Sequence, residues 1–257
     1  MKHLHFFGCS FTAGDELTDD IVFPWKHECK TRDEYYTRRI AIFTGEPNAS
    51  SKYQLANKAL AYPAKVQRDE YQTYNYAKNG GSLRTAIFCV LQLIYNTEIP
   101  KDVIFLQIPP VGRELYVDDS FHVTTLSYGG AETYYEPIRS YVFSKAMSHN
   151  IMQYSLEDSM DIIMLANLCK QKNIPFYLIE LHTELEIRLQ DLKYDQYKFI
   201  KDNLFTEINL INFGAIILES VYEKRKLIGG HYDEITHQQM ADRIITMLPN
   251  ILNVKVK

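Results

Sequence analysis

No stretch of this sequence stays apolar for the roughly 18 residues a membrane-spanning helix needs. The amino-terminal run Met1-Lys2-His3-Leu4-His5-Phe6-Phe7 is too short and too polar to read as a signal peptide. Cysteine is scarce as well. The four residues Cys9, Cys29, Cys89 and Cys169 are scattered and form no C-x-x-C pair, which argues against a disulfide scaffold or a zinc knuckle. These absences together predict a soluble, cytoplasmic protein in a reduced setting. Basic charge is not in excess either: a formal net charge of −4 argues against a broad nucleic-acid-binding surface. There is no internal repeat, no low-complexity tract and no Pro/Gly/Ser linker, so one domain over residues 1–257 is the expected organisation. H-E-x-x-H, G-x-x-x-x-G-K-[ST] and G-x-G-x-x-G are all missing, and no metal or cofactor is implied.

What is present is a globular composition, 46% hydrophobic and 23% charged, enough to bury a full core. Short apolar runs alternate with longer amphipathic stretches, the pattern of βαβ units around a parallel sheet. The predicted strands are Leu4–Gly8, Thr73–Ala77, Val103–Ile108, Pro175–Ile179 and, more weakly, Glu207–Ile211. Val103-Ile104-Phe105-Leu106 lacks polar alternation, as a strand covered on both faces does. Helical spacing of apolar residues predicts helices over Leu83–Asn96, His149–Lys172 and Glu234–Leu252. Two segments break the rhythm. One, residues 17–61, is long, charged and aromatic and is expected to be partly helical. The other, residues 114–142, carries Tyr116, Tyr128, Tyr134 and Tyr135 around Gly129-Gly130 and reads as a loop or hairpin. Both are insertions that either contact substrate or merely elaborate the surface.

Chemistry-bearing residues follow the first strand. In Gly8-Cys9-Ser10-Phe11-Thr12-Ala13-Gly14 a serine sits just past the strand end, where a tight turn exposes its hydroxyl and its N–H groups can face an oxyanion. After the second strand comes Asn75-Tyr76-Ala77-Lys78-Asn79-Gly80-Gly81-Ser82, with Ser82 placed to cap the helix at Leu83. Near the end stands His231-Tyr232-Asp233-Glu234-Ile235-Thr236-His237, with Asp233 in the helix-capping position. A base near the serine is required because a neutral hydroxyl is a poor nucleophile, and a histidine performs that role near neutral pH. A phosphate site at Gly80-Gly81-Ser82 is the competing reading of the second segment. The other histidines, His3, His5, His27, His122, His149 and His182, lie in no such context and are expected at the surface or satisfied in the interior.

Taken in order, these segments resemble the SGNH (GDSL-type) hydrolases. That family carries its nucleophile in Gly-Asp-Ser-Leu-Thr-x-Gly, matched here at Gly8, Ser10, Thr12 and Gly14, with Cys9 and Phe11 at the departing positions. The resemblance implies a three-layer α/β/α sandwich, flavodoxin-like, around a mainly parallel five-stranded sheet. It also implies Ser10 as nucleophile, His231 as base, Gly80 as an oxyanion-hole donor and Asn75 in support. His237, Met240 and Ala241 fall at matching places after the catalytic histidine.

Two family features are missing. The acid expected two or three residues before the histidine is replaced by Gly229 and Ile228, leaving a backbone carbonyl or Glu180 to orient the imidazole; Asp233 is better explained as the cap. The oxyanion asparagine after the third strand aligns near Val111, with Arg113 as a replacement donor or as one half of a surface pair with Glu114. Losing one oxyanion donor costs about 10²–10³ in rate, and losing the orienting acid about 10⁴. Two functions therefore stand beside each other: an esterase acting on an O-acetyl or other short acyl ester of a carbohydrate, and a catalytically impaired module that binds a glycan without turnover. Either way the partner is a small molecule or carbohydrate, not nucleic acid or membrane. The number of subunits is not encoded in any motif.

Overall fold

The computed structural model describes residues 2–45, 48–78, 81–96, 102–109, 113–117, 123–127, 151–181, 198–205, 208–225, 227 and 231–253. Its centre is a five-stranded parallel sheet. In chain order the strands are β1 (Lys2–Phe7), β2 (Tyr71–Asn75), β3 (Val103–Gln107), β6 (Phe176–Glu180) and β7 (Asn209–Asn212), and in space they run β2-β1-β3-β6-β7. Intervening β4 (Arg113–Val117) and β5 (Val123–Ser127) form a separate antiparallel ribbon. β3 lies at the middle of the sheet with all five residues buried, as its uninterrupted apolar sequence requires.

Alternate side chains of each strand point to opposite faces. On one face Phe7, Ile104, Leu106, Phe176 and Leu178 pack against α6 (Leu83–Asn96), α7 (Ile151–Gln171) and α8 (Lys198–Phe205). On the other, Leu4, Phe6, Phe105, Tyr177 and Ile179 pack against α5 (Tyr62–Val66), α9 (Gly214–Tyr222) and α10 (Glu234–Asn253). The result is the expected three-layer α/β/α sandwich. All five predicted strands and three predicted helices are present, shifted by at most two residues at most ends. Ser82 Oγ accepts the Thr85 N–H at 3.1 Å, so α6 is capped as expected.

The charged, aromatic stretch after β1 is mainly helical among the described residues: α1 (Ser10–Ala13), α2 (Asp19–Val22), a 3₁₀ turn (Pro24–Glu28), α3 (Arg32–Gly45) and α4 (Ala49–Leu60). It is not mere surface. Tyr35, Tyr53, Arg39, Asp19 and Asn57 are all buried in it. In the second insertion a hairpin-like ribbon is present, whereas Tyr128, Tyr134 and Tyr135 lie outside the described residues. Among the described residues no helix is long and apolar enough to cross a membrane.

Candidate active site

The turn leaving β1 is built by backbone economy and one glutamine. A Cβ on Gly8 would lie 2.6 Å from Thr12 Oγ1 and 2.8 Å from Gln107 Oε1, so only glycine fits that close approach. Gln107, the fully buried last residue of β3, accepts from the Cys9 N–H and the Cys9 thiol at 3.2 Å each, and from the Thr12 hydroxyl at 3.1 Å. Thr12 also meets the Tyr62 hydroxyl at 3.0 Å. Asn75 closes the other side: its Nδ2 donates to the Thr12 carbonyl at 2.8 Å, and its Oδ1 accepts the Ala77 N–H at 3.1 Å. Ser10 opens α1 between these anchors at the carboxyl end of β1, buried, with its carbonyl accepting the Asp15 N–H at 3.0 Å.

Gly14 ends α1 in the left-handed region, φ +72°. A Cβ there would lie 2.7 Å from Ala61 Cβ and 2.9 Å from the Asn57 carbonyl oxygen. Gly14→Ala therefore combines left-handed strain with overpacking against backbone. We expect it to destabilise the protein by about 2 kcal/mol or more, read from the denaturation midpoint.

His231 reaches the same place from the far end of the chain. Its ring packs on Phe11, the neighbour of Ser10, with centroids 5.0 Å apart. It is buried, and two acids flank it. Nδ1 lies 3.5 Å from Glu16 Oε1 and Nε2 lies 4.0 Å from Asp15 Oδ2. Nδ1 itself makes no hydrogen bond, so Glu16 stands just beyond bonding distance. Glu16 is held in the left-handed region, φ +72°, unusual for a residue with a side chain. Such strain persists where the surroundings over-determine it.

The surroundings do so here. The Arg39 guanidinium bonds Asp15 at 2.5 Å and lies 4.0 Å from Glu16, with Tyr53 beneath it at 4.5 Å from the ring centroid. The Tyr53 hydroxyl accepts the Glu16 N–H at 3.0 Å, and the Tyr36 hydroxyl donates to Glu16 Oε1 at 3.4 Å. Asp19 receives the hydroxyls of both Tyr35 and Tyr53. Burial raises the Asp19 carboxyl above its ordinary pKa and raises both tyrosines, keeping the phenols as donors. Burial also opposes the charge on Arg39, but the Asp15 carboxylate and its other neighbours more than offset this and raise its pKa. Thus α3 and α4 hold an acidic floor against His231.

The second histidine, His237, is buried against α5. His237 Nδ1 accepts the Tyr62 N–H at 3.2 Å, and its ring stacks on Tyr62. Burial, then the nearby His231 and Lys65, push its pKa down to about 3. In the unfolded chain the group titrates near its ordinary value of 6.5. Between these values the unfolded state binds a proton the folded state refuses, so stability falls as pH falls from about 6.5 towards 3, by about 1.4 kcal/mol per pH unit from this group. Above pH 6.5 the group contributes no slope. Denaturation midpoints measured across that range should lose this component in His237→Asn.

Asp233 caps α10 as expected, with Oδ1 accepting the Thr236 N–H at 2.9 Å and the Thr236 hydroxyl at 2.7 Å. Glu180, weighed in sequence as an orienting acid, receives Asn212 Nδ2 at 3.2 Å at the end of β6. Gly80, Val111, Ile228 and Gly229 lie outside the described residues, and so does the side chain of Arg113, whose backbone opens β4. Sequence reasoning did not single out Asp15, Glu16, Arg39 or Gln107. The available signal was the acid pair directly after Gly14, one residue past the serine motif.

No family model and no curated protein matches the chain. Solved structures do. A member of the lipolytic G-D-S-L family from Veillonella parvula superposes with a TM-score of 0.51 at 11% identity, covering 97% of this chain and 99% of that one. LAE5, an α/β hydrolase enzyme from the metagenome of Lake Arreo, gives 0.51 at 9% identity, covering 98% and 96%. TesA gives 0.50 at 9% identity, covering 97% and 99%. With its β2-β1-β3-β6-β7 parallel sheet and its serine turn after the first strand, the chain has the fold of the SGNH (GDSL-type) hydrolases, as a divergent example of it.

Proposed function

We propose that the protein is a serine esterase in which Ser10 attacks an acyl carbonyl and His231 takes the hydroxyl proton. The observation that carries this reading is the burial of His231 against Glu16, on the ring of the residue next to Ser10. Glu16 faces Nδ1, which fixes the tautomer and stabilises the imidazolium, and Nε2 is left to exchange the proton with Ser10. Apo sites commonly hold such contacts long and tighten them in the substrate complex. Asp15 is neutralised by Arg39 and serves to position rather than to orient the base. The family's missing acid is thus supplied from the turn following the nucleophile. In the first step the serine oxygen bonds the acyl carbon while its proton passes to His231. The backbone N–H groups of Ser10 and Gly80 receive the oxyanion, and the imidazolium returns the proton to the departing alcohol. Water then repeats the sequence to release the acid.

The substrate class we favour is an O-acetyl or other short acyl ester on a carbohydrate, in keeping with the resemblance and with the tyrosine-rich insertion. Hydrolysis of p-nitrophenyl acetate and of acetylated sugars by the native protein, absent in Ser10→Ala, tests the reading. A second reading, a glycan-binding module, is favoured by Val111 where an oxyanion asparagine is expected. It predicts glycan binding that survives Ser10→Ala and no turnover in the native protein.

A further inference from the structure

At the opposite end of β1 from Ser10, two histidines and an aspartate converge. His3 and His5 lie two residues apart on one strand and so share a face. Asp102 immediately precedes β3, which pairs with β1 in the register Leu4↔Val103. Parallel pairing thus brings the carboxylate beside both rings. Asp102 Oδ1 lies 3.3 Å from His3 Nδ1, and Oδ2 lies 2.9 Å from His5 Nε2. The three ligand atoms lie within 4.8 Å of one another.

We propose that His3, His5 and Asp102 bind a divalent transition-metal ion of the zinc type, independently of the esterase reading. Bonds of about 2.0–2.1 Å at tetrahedral angles separate ligand atoms by roughly 3.4 Å. The two nitrogens stand 3.3 Å and 2.9 Å from different oxygens of Asp102, and with all three ligand atoms inside 4.8 Å a small turn of the exposed His3 ring and of the carboxylate brings them to that spacing. Two imidazoles and one carboxylate form a donor set suited to zinc and its neighbours rather than to calcium or magnesium, which take oxygen. His5 is 4% exposed and its Nδ1 has no hydrogen-bond partner. Metal ligands usually have their rings fixed by a hydrogen bond through the second nitrogen. Here stacking does that: the His5 ring lies against Tyr74 at 5.1 Å and Tyr76 at 5.8 Å, nearly parallel to the first. The His3 side chain is 41% exposed, so an ion can enter from solvent and keep a water as fourth ligand. Without a metal, His5 Nε2 is hydrogen-bonded to Asp102 Oδ2, and His3 Nδ1 stands beside Oδ1. Among the described residues no other group of three such side chains converges in this way. Sequence alone hid the set because its carboxylate lies 97 residues from His5.

The test is titration of the full-length, chelator-treated protein with zinc chloride, by calorimetry and by melting temperature. One equivalent should bind and raise the melting temperature. His3→Ala, a change at a partly exposed side chain that leaves the core intact, should weaken binding by more than about 100-fold, beyond the 10–100-fold that loss of a supporting partner costs. His231→Ala should bind zinc as the native protein does. Failure of the folded native protein to bind one equivalent, undiminished binding by His3→Ala, or binding lost in His231→Ala and kept in His3→Ala would each overturn the proposal.

Discussion

Ser10→Ala and His231→Ala are each expected to lower ester turnover by about 10⁶-fold, with the double variant no worse than either single one. In a serine hydrolase the nucleophile and its base act as one unit, so removing either removes the covalent route entirely. The residual rate comes from binding and oxyanion stabilisation. Ser10→Ala should stay folded, because the turn is held by Gly8, Gln107, Thr12 and Asn75 rather than by the serine side chain. Turnover against a short acyl ester, with circular dichroism to establish folding, measures both statements. Additive losses would mean that the two residues do not share a step.

Glu16→Gln is expected to reduce kcat by about 10³–10⁴-fold while KM changes little, since exchanging the orienting carboxylate for a neutral amide costs about 10⁴ in a comparable triad. The change conserves size, so the left-handed backbone at residue 16 and the Tyr53 contact to its N–H remain. Asp15→Asn separates the two roles. Asp15 bonds the buried Arg39, and removing its charge leaves that guanidinium without its closest partner. We expect Asp15→Asn to act chiefly on stability, by about 3–5 kcal/mol, with a smaller effect on kcat in the folded fraction. Urea denaturation and steady-state kinetics on both variants read the contrast. If Asp15→Asn lowered kcat further than Glu16→Gln, Asp15 would be the orienting acid.

The sheet was legible because each strand carries its own signal. Val103-Ile104-Phe105-Leu106 has no polar alternation and is central, and α6 shows both helical spacing and a serine cap. α9 was not read because Gly214-Ala215-Ile216-Ile217-Leu218 is apolar without clear periodicity and follows a short edge strand. Of the proposed site, Ser10 and His231 were singled out in the sequence because each is locally framed, by glycines or by a helix cap. Glu16 and Gln107 were not, since their roles depend on contacts made across 215 and 95 positions of chain, from Glu16 to His231 and from Thr12 to Gln107. The residues 17–61 read as ambiguous elaboration because a buried polar network and a solvated charged face have the same composition. Only the fold distinguishes Arg39, buried beside Asp15, from Arg38, half exposed beside Glu28 and Glu34.

The most direct test of the central claim does not require the natural substrate. A phosphofluoridate reacts with an activated serine by forming an O–P bond and expelling fluoride, with the hydroxyl proton passing to the base. Incubated with the native protein and mapped by peptide mass spectrometry, it should form one adduct, on Ser10, at a rate strongly reduced in His231→Ala and Glu16→Gln. A folded native protein left unmodified at Ser10, or labelled at the same rate in all three forms, would contradict the assignment of Ser10, His231 and Glu16 as a working unit.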